Sequence, residues 1–120
     1  MRLFHSNLVD LYATTITAGS ETTGYGVANV AHPFLAKIYK TGNSVGVLDE
    51  WVAFDFGSAV NVSALVIAAH DLVDEDVITL ELASAVDFSD SITVEVERIE
   101  GFILAVFETV EVRYARVNIT

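Results

Sequence analysis

Apolar and polar side chains alternate with a period of two along much of the chain after Trp51. In residues 92–97, the isoleucine and the two valines would face inward, and the threonine and the two glutamates would face solvent. This period buries one face of an extended strand, whereas a helix needs a period of about 3.6 residues. β-Branched residues, which favour strands, dominate the same half of the chain. The alternation therefore predicts an antiparallel sheet and excludes a helical bundle.

Turn residues divide the second half of the chain into several strands. Gly57-Ser58 is predicted to end one strand, and Glu100-Gly101 to form a tight turn. Residues 62–69 are almost continuously apolar, as in a strand covered on both faces. Strands spaced about ten residues apart indicate a sandwich or a barrel. The predicted strands are 51–56, 62–69, 77–83, 92–97, 102–107 and 113–119.

The first half of the chain is less regular. Residues 13–26 are rich in Thr, Ser and Gly and indicate an exposed loop or an edge strand. Apolar residues between Val27 and Ile38 have helical spacing, but Pro33 argues against a long helix there. A short helical turn that begins near Pro33 stays open. We predict one domain over residues 1–120, with residues 1–20 as an N-terminal arm or edge strand.

The charge of the chain is strongly negative. Six basic residues oppose seventeen acidic ones, which gives a formal net charge of −11. Nucleic acid is excluded as a partner, because its affinity depends largely on neutralised phosphates. Anionic membrane surfaces are disfavoured, and no run approaches the ~18 apolar residues that membrane insertion needs. We interpret the acidic residues as keeping an apolar chain in solution, with cation binding as the alternative.

Disulfides and thiolate metal sites are excluded, because the chain has no cysteine. Residues 1–20 mix Arg2, His5 and Asp10 with apolar residues and do not form the apolar core of a secretory signal. We therefore expect the chain to be made and folded in a cytosol.

Three segments resemble galactose-binding-like (discoidin, or F5/8 type C) domains. Residues 51–57 read Trp-Val-Ala-Phe-Asp-Phe-Gly and are similar to the family's W-x-x-φ-D-φ-G signature. Residues 112–119 resemble its closing R-Y-φ-R-φ strand, and residues 24–30 its Y-x-φ-x-N-φ segment. The resemblance covers the chain from about Ala18 to Thr120. It implies an all-β fold, an antiparallel β-sandwich of the eight-stranded jelly-roll type, with loops gathered at one end.

The resemblance also implies roles for four residues of the signature. Trp51 and Phe56 would fill the core, Asp55 would accept hydrogen bonds from loop backbone, and the following glycine would allow a tight turn. Residues 31–34 read Ala-His-Pro-Phe where many members carry an Asp-Gly element and a Thr-x-Trp-x-Ser loop. The usual sugar- or lipid-binding loop is therefore not recognisable, and the flanking cysteines of extracellular members are missing.

A cysteine-free, leaderless form is similar to small galactose-binding-like proteins of tailed bacteriophage virions. In those proteins the segment after the central apolar strand often reads Ala-His-Asn-Leu, and residues 69–72 here read Ala-His-Asp-Leu. This local match favours a virion protein.

No catalytic motif is recognisable, and we predict a protein that is not an enzyme. The chain has no Gly-x-Ser-x-Gly, and residues 42–46 lack the Lys-Ser/Thr of a phosphate loop. The three histidines lack zinc-site spacing; a structural role is the simpler interpretation of His32 and His70. Aromatic rings stack on sugars and anchor interfaces. The candidate contact residues for a ligand or partner are Tyr25, His32, Phe34, Tyr39 and His70.

We predict no cofactor and no metal, with a calcium site in the acidic loop after residue 70 as the alternative. Asp71, Asp74 and Asp76 would offer the oxygen ligands that calcium takes. The order of an EF-hand is absent, so a solvated acidic loop is the simpler interpretation.

The leading prediction is a structural protein located in the virion: a capsid decoration, head-fibre or tail component. Its partners would be other virion proteins and further copies of this chain in a homo-oligomer, with the acidic face turned to solvent. The alternative is a carbohydrate-binding module that recognises cell-surface glycans. A third interpretation is an accessory domain to an enzyme on another chain.

Overall fold

The computed structural model describes residues 7–31, 39, 42, 50–68, 72, 76–99 and 102–120. A short helix, α1 (Leu8–Tyr12), precedes the edge strand β1 (Thr15–Ala18), and a 3-10 helix covers Val27–Ala31. The other strands are β2 (Glu50–Ala68), β3 (Ile78–Ala83), β4 (Ile92–Glu95), β5 (Glu97–Ile99) and β6 (Phe102–Ile119). No helix in these ranges has the length and hydropathy required to cross a membrane. The turn predicted at 100–101 and the helical turn predicted near Pro33 lie outside the described residues.

Two long strands give the fold its two layers. The described strands pair antiparallel in the order β1-β2-β6-β3-β4, and β5 pairs with β6. The β2–β6 pairing changes register between Asp55 and Val60, and again between Val62 and Ala64. Before these shifts β2 pairs with the end of β6, and after them with its beginning. β2 and β6 each contribute one segment to each layer, and together with the four short described strands they make eight strand segments.

Gly57 lies at the bend in β2. The strand runs through it with φ of +79°, and a Cβ there would lie 2.9 Å from Thr14 Cγ2. Asp55 Oδ1 accepts a hydrogen bond from the Gly57 N–H at 2.8 Å, as the resemblance implies. The prediction that Gly57-Ser58 ends the strand is wrong, because the glycine forms a bulge that redirects the strand.

Both layers bury their inward side chains in one core. Leu82 of β3 and Ile103 of β6 are each 0% exposed and come from different layers. Full burial of such a side chain stabilises the fold by about 1.5–3 kcal/mol. The other buried members are Phe56, Val62, Ile78, Leu80, Val112, Ala115 and Val117. The all-β antiparallel sandwich implied by the resemblance is therefore confirmed, and the barrel that strand spacing left open is not what the chain forms.

Trp51 does not lie in this core. Val52, Phe54 and Phe56 take the inward positions of β2, so the adjacent tryptophan falls on the outer face. It is half-buried, and its Nε1 would lie 3.1 Å from a Cβ placed on Gly19. The prediction of a core role is confirmed for Phe56 and wrong for Trp51, because residues separated by an odd number of positions face opposite sides of a strand.

The predicted strand 92–97 is in fact two strands. β4 pairs with β3 in one layer and β5 pairs with β6 in the other, and Val96 between them belongs to neither strand. Ile92 is exposed at the first position of β4, although the alternation predicts that it faces inward. The division into two strands arises because the chain crosses from one layer to the other at Val96.

Candidate functional site

The register brings several segments to one end of the sandwich. Ala18 at the end of β1 pairs with Val52 near the start of β2. Ile119 pairs both with Glu50 and with Ile78, so the starts of β2 and β3 lie beside the end of β6. We call this region the loop end; its described residues include Ser20, Glu21, Tyr25, Tyr39, Gly42, Glu50 and Asp76.

Tyr25 lies on a tight turn at the loop end. Its N–H donates to the Thr22 carbonyl at 2.9 Å, and the two residues form an isolated antiparallel bridge. Gly24 has φ of +87°, which a residue with a Cβ rarely adopts. Glu21 Oε1 accepts from the Val27 N–H at 2.8 Å and ties the turn to the 3-10 helix. The turn is therefore fixed by its backbone, and Tyr25 is 38% exposed on it.

Ser20 joins three segments of the loop end. Its hydroxyl donates to Glu50 Oε1 at 2.6 Å and accepts from the Gly42 N–H at 2.8 Å. Its carbonyl accepts from the Tyr39 hydroxyl at 2.9 Å. Gly42 passes so close that a Cβ there would lie 2.6 Å from the Glu21 carbonyl oxygen. These contacts hold the segment containing Tyr39 and Gly42 against the end of β1.

Tyr39 is a half-buried hydrogen-bond donor in this network. Burial, followed by the nearby carboxylates of Glu50 and Glu21, raises the pKa of Tyr39 to about 12. The phenol keeps its proton at neutral pH and donates a hydrogen bond to the Ser20 carbonyl. Of the two tyrosine candidates, Tyr25 presents the larger exposed surface.

The remaining candidates fall mostly outside the described residues: His32, Phe34, His70, Asp71 and Asp74. Their grouping with Tyr25 stays a prediction. Asp76 is half-buried immediately before Val77, which leads into β3. Within the ranges that the structure describes, no three His, Asp or Glu side chains are grouped to hold a metal ion. The calcium site therefore also stays a prediction.

A second polar cluster, on the outer face near the bulge, was not found from the sequence. Arg113 donates to both carboxylate oxygens of Asp55, with Nε–Oδ1 at 2.9 Å and Nη2–Oδ2 at 3.1 Å. This hydrogen bonding lowers the pKa of Asp55 and raises that of Arg113. Arg116 Nε donates to Glu81 Oε2 at 2.7 Å. Both arginines are thus paired with carboxylates, and the cluster offers no excess charge to a ligand.

Phe88 covers part of this cluster. It has φ of +58°, a conformation that is rare for a bulky side chain. The Arg116 guanidinium carbon lies 4.2 Å from the centre of its ring, and the Tyr114 ring lies 6.3 Å away at a tilt of 58°. The contact pairs a cation with an aromatic face. Arg116 lies opposite Glu81 because β3 pairs with β6. The sequence does not show which strands pair, so it gives no sign of this contact.

The fold is shared with solved carbohydrate-binding modules. Chitosan-binding module 1 from a chitosanase/glucanase of Paenibacillus sp. IK-5 is 19% identical, with a TM-score of 0.77 over 95% of this chain and 86% of that one. Module 2 of the same enzyme, solved with chitotriose, is 15% identical, with a TM-score of 0.71 over 95% and 87%. The CBM32 of AlyQ, solved with 4,5-unsaturated mannuronic acid, is 20% identical, with a TM-score of 0.61 over 90% and 91%.

These matches define the class of fold. The chain has the galactose-binding-like β-sandwich of CBM32 modules, and the resemblance read from residues 51–57 and 112–119 is confirmed as a likeness of fold. No protein-family model and no curated protein matches the sequence. The matched structures support the carbohydrate-binding alternative better than the virion prediction, for which they offer no support.

Proposed function

We propose that this protein binds carbohydrate as a non-catalytic module and does so at its loop end. The observation that carries the proposal is the likeness to chitosan-binding module 1, which extends over 95% of this chain. Two further structures of the same fold hold a sugar, chitotriose in one and an unsaturated mannuronic acid in the other.

Tyr25 is the contact residue that we propose first. A tyrosine ring stacks on the apolar face of a sugar ring while its hydroxyl exchanges hydrogen bonds with sugar hydroxyls. The turn that carries Tyr25 is held by the Thr22 carbonyl and by Glu21. A ring on a fixed turn loses little freedom on binding, which favours affinity.

The charge of the loop end favours neutral or cationic sugars. Screening limits the reach of a charge to about 8 Å at physiological ionic strength, so nearby carboxylates count more than the net charge of −11. Glu21 and Glu50 both lie within the network around Ser20 and Tyr39. An amino sugar would be attracted to these carboxylates, and a uronic acid would be repelled.

The test is calorimetric titration of the whole chain with chitotriose, which is an amino-sugar trimer, and separately with mannuronic acid. We expect binding of chitotriose and none of mannuronic acid. The Tyr25→Ala variant should lose about tenfold in affinity, equivalent to ~1.4 kcal/mol.

The matched control is Tyr12→Ala. Tyr12 is also exposed, but α1 leads into the start of β1, at the end of the sandwich opposite the loop end. Equal losses in the two variants would contradict a site at Tyr25. Absence of binding to any of these sugars and to neutral galactose-type sugars would contradict the proposed function.

Virion assembly is the second candidate, and the Ala-His-Asp-Leu match at residues 69–72 is the observation that favours it. A virion location, virion-protein partners and a homo-oligomer belong to this candidate. Sedimentation of the free protein and its binding to purified particles test it. An oligomer whose melting temperature no sugar shifts would favour assembly over carbohydrate binding.

A further inference from the structure

Beyond the second register shift, between Val62 and Ala64, the outer face of β2 and β6 carries four apolar residues. Ala64 pairs with Val106, and Val66 pairs with Leu104. Val66 is 54% exposed and Val106 48%, while the other two are half-buried. We call these four residues the apolar face. They form two adjacent rows on neighbouring strands, so they are a contiguous patch rather than scattered surface residues.

The apolar side chains of this face do not contribute to the core. Residues that alternate with the apolar face point inward; Ile103 is 0% exposed and Ala105 is 4% exposed. Antiparallel sheets with one solvated face normally place polar side chains outward. Exposed apolar patches with a polar rim mark interaction sites. The apolar face therefore points to a function other than folding.

Two glutamates form a rim on one side of the apolar face. Glu97 pairs with Leu104 in the ladder between β5 and β6. Glu95 and Glu97 are both exposed and line a groove with Leu104, Ala105 and Val106. The rim selects a positively charged partner, because like charges brought together on binding would repel.

The rim argues against a second copy of this chain as the occupant. Copies that meet through the same surface around a two-fold axis contribute the same residues twice. Such a dimer would bring Glu95 and Glu97 of both copies to one interface. With a formal net charge of −11 the two copies would also repel one another at longer range.

We propose that the apolar face binds a protein segment that combines aliphatic side chains with lysine or arginine. The aliphatic side chains cover Val66 and Val106, and the basic side chains pair with Glu95 and Glu97. This surface is distinct from the loop end, and its occupancy does not depend on sugar binding.

The test uses a fluorescent synthetic peptide of alternating leucine and lysine, and its twin of alternating leucine and glutamate. Anisotropy at physiological ionic strength should show binding of the lysine peptide alone. The double variant V66T/V106T and the double variant E95Q/E97Q should each weaken that binding by about tenfold. The control V86T alters a valine that is 73% exposed in the loop between β3 and β4, and it should bind like the parent.

Three results would overturn the proposal. One is unchanged binding of the lysine peptide in V66T/V106T. If only E95Q/E97Q then weakens the binding, the peptide is attracted to an acidic surface in general and not to the apolar face. Another is an equal loss in V86T. The third is a parent dimer in sedimentation that V66T/V106T dissolves, because the occupant would then be a second copy. Thermal melts verify that every variant is folded, and unchanged sugar affinity in V66T/V106T keeps this test separate from that of the loop end.

Discussion

The β2–β6 pair has two parts that bury the same core but carry opposite outer surfaces. Before the bulge at Gly57, outward positions hold Asp55 and Arg116, both in ion pairs. Beyond the second register shift in β2, they hold Val66 and Val106, which are exposed. The inward positions are equally apolar in both parts, because folding demands it. Folding does not constrain the outer positions in this way. The difference in polarity between the two outer surfaces therefore indicates what each surface contacts.

Packing of the outer side chains explains the polar part without a ligand. Arg116 is held between Glu81 and the Phe88 ring, and its side chain is 30% exposed. Ion pairs at this exposure stabilise a protein by at most about 1 kcal/mol each. Among the residues that the structure describes, none covers Val66 and Val106, and for that reason we propose a partner for the apolar part.

The largest expected effect tests whether the two parts share one core. Leu82→Ala and Ile103→Ala should each lower the free energy of unfolding by about 2–5 kcal/mol, because each opens a cavity among buried side chains. Urea denaturation measures both, with exposed Ile92→Ala as the control, which should cost under about 1 kcal/mol. A small loss for one buried variant alone would mean that its layer contributes little to the core.

A smaller effect is expected at the junction of the two parts. Gly57→Ala should lower the free energy of unfolding by about 1–3 kcal/mol, because it combines a left-handed backbone with a close approach to Thr14. Gly24→Ala is the matched variant, since its φ of +87° is similar but no atom lies within 4 Å of the added Cβ. Urea midpoints should place Gly57→Ala below Gly24→Ala. The reverse order would show that the bulge tolerates a side chain and that the bend does not depend on glycine.

The smallest effect concerns the ion pair beside the bulge. Arg113 lowers the pKa of Asp55 in the folded protein, so the pair stabilises the fold above the unfolded pKa of about 3.9. That contribution is lost as the pH falls through the lower folded pKa. The urea midpoints of Asp55→Asn and the parent should therefore differ at neutral pH and converge below about pH 4. An offset that stays constant with pH would mean that the carboxylate charge is not what matters.

Side-chain alternation in residues 77–83 agrees with the burial of Ile78, Leu80 and Leu82 in β3, although Ala83, on the opposite face by alternation, is buried as well. It failed at Gly57, because a glycine that ends a strand and one that bends it look alike until the pairing partner is known. The core role of Trp51 came from the resemblance, and it is wrong because Trp51 lies next to the inward-facing Val52 and therefore faces the other side of β2. At Gly57 the missing information was register, a relation between residues far apart in the sequence.

The candidate site shows the same limit. Tyr25 was predicted from the sequence as a contact residue, but the tight turn that carries it was not, although Gly24 offers a local signal for a turn. The hydrogen bonds that tie Ser20 to Tyr39 and Glu50 join residues 19 and 30 positions apart, and no local pattern announces them. Arg116 and Glu81 are 35 positions apart and were missed for the same reason.

β2 and β6 each run as one continuous strand through both layers, so neither layer can unfold without disrupting a strand of the other. Thermal melting should accordingly be one cooperative transition. Amide protons of Leu104 and Val117 should then exchange through the same global opening. A sugar that occupied the loop end would slow the exchange of amides in the distant layer as well, since ligand binding stabilises every contact that opens only when the whole molecule does.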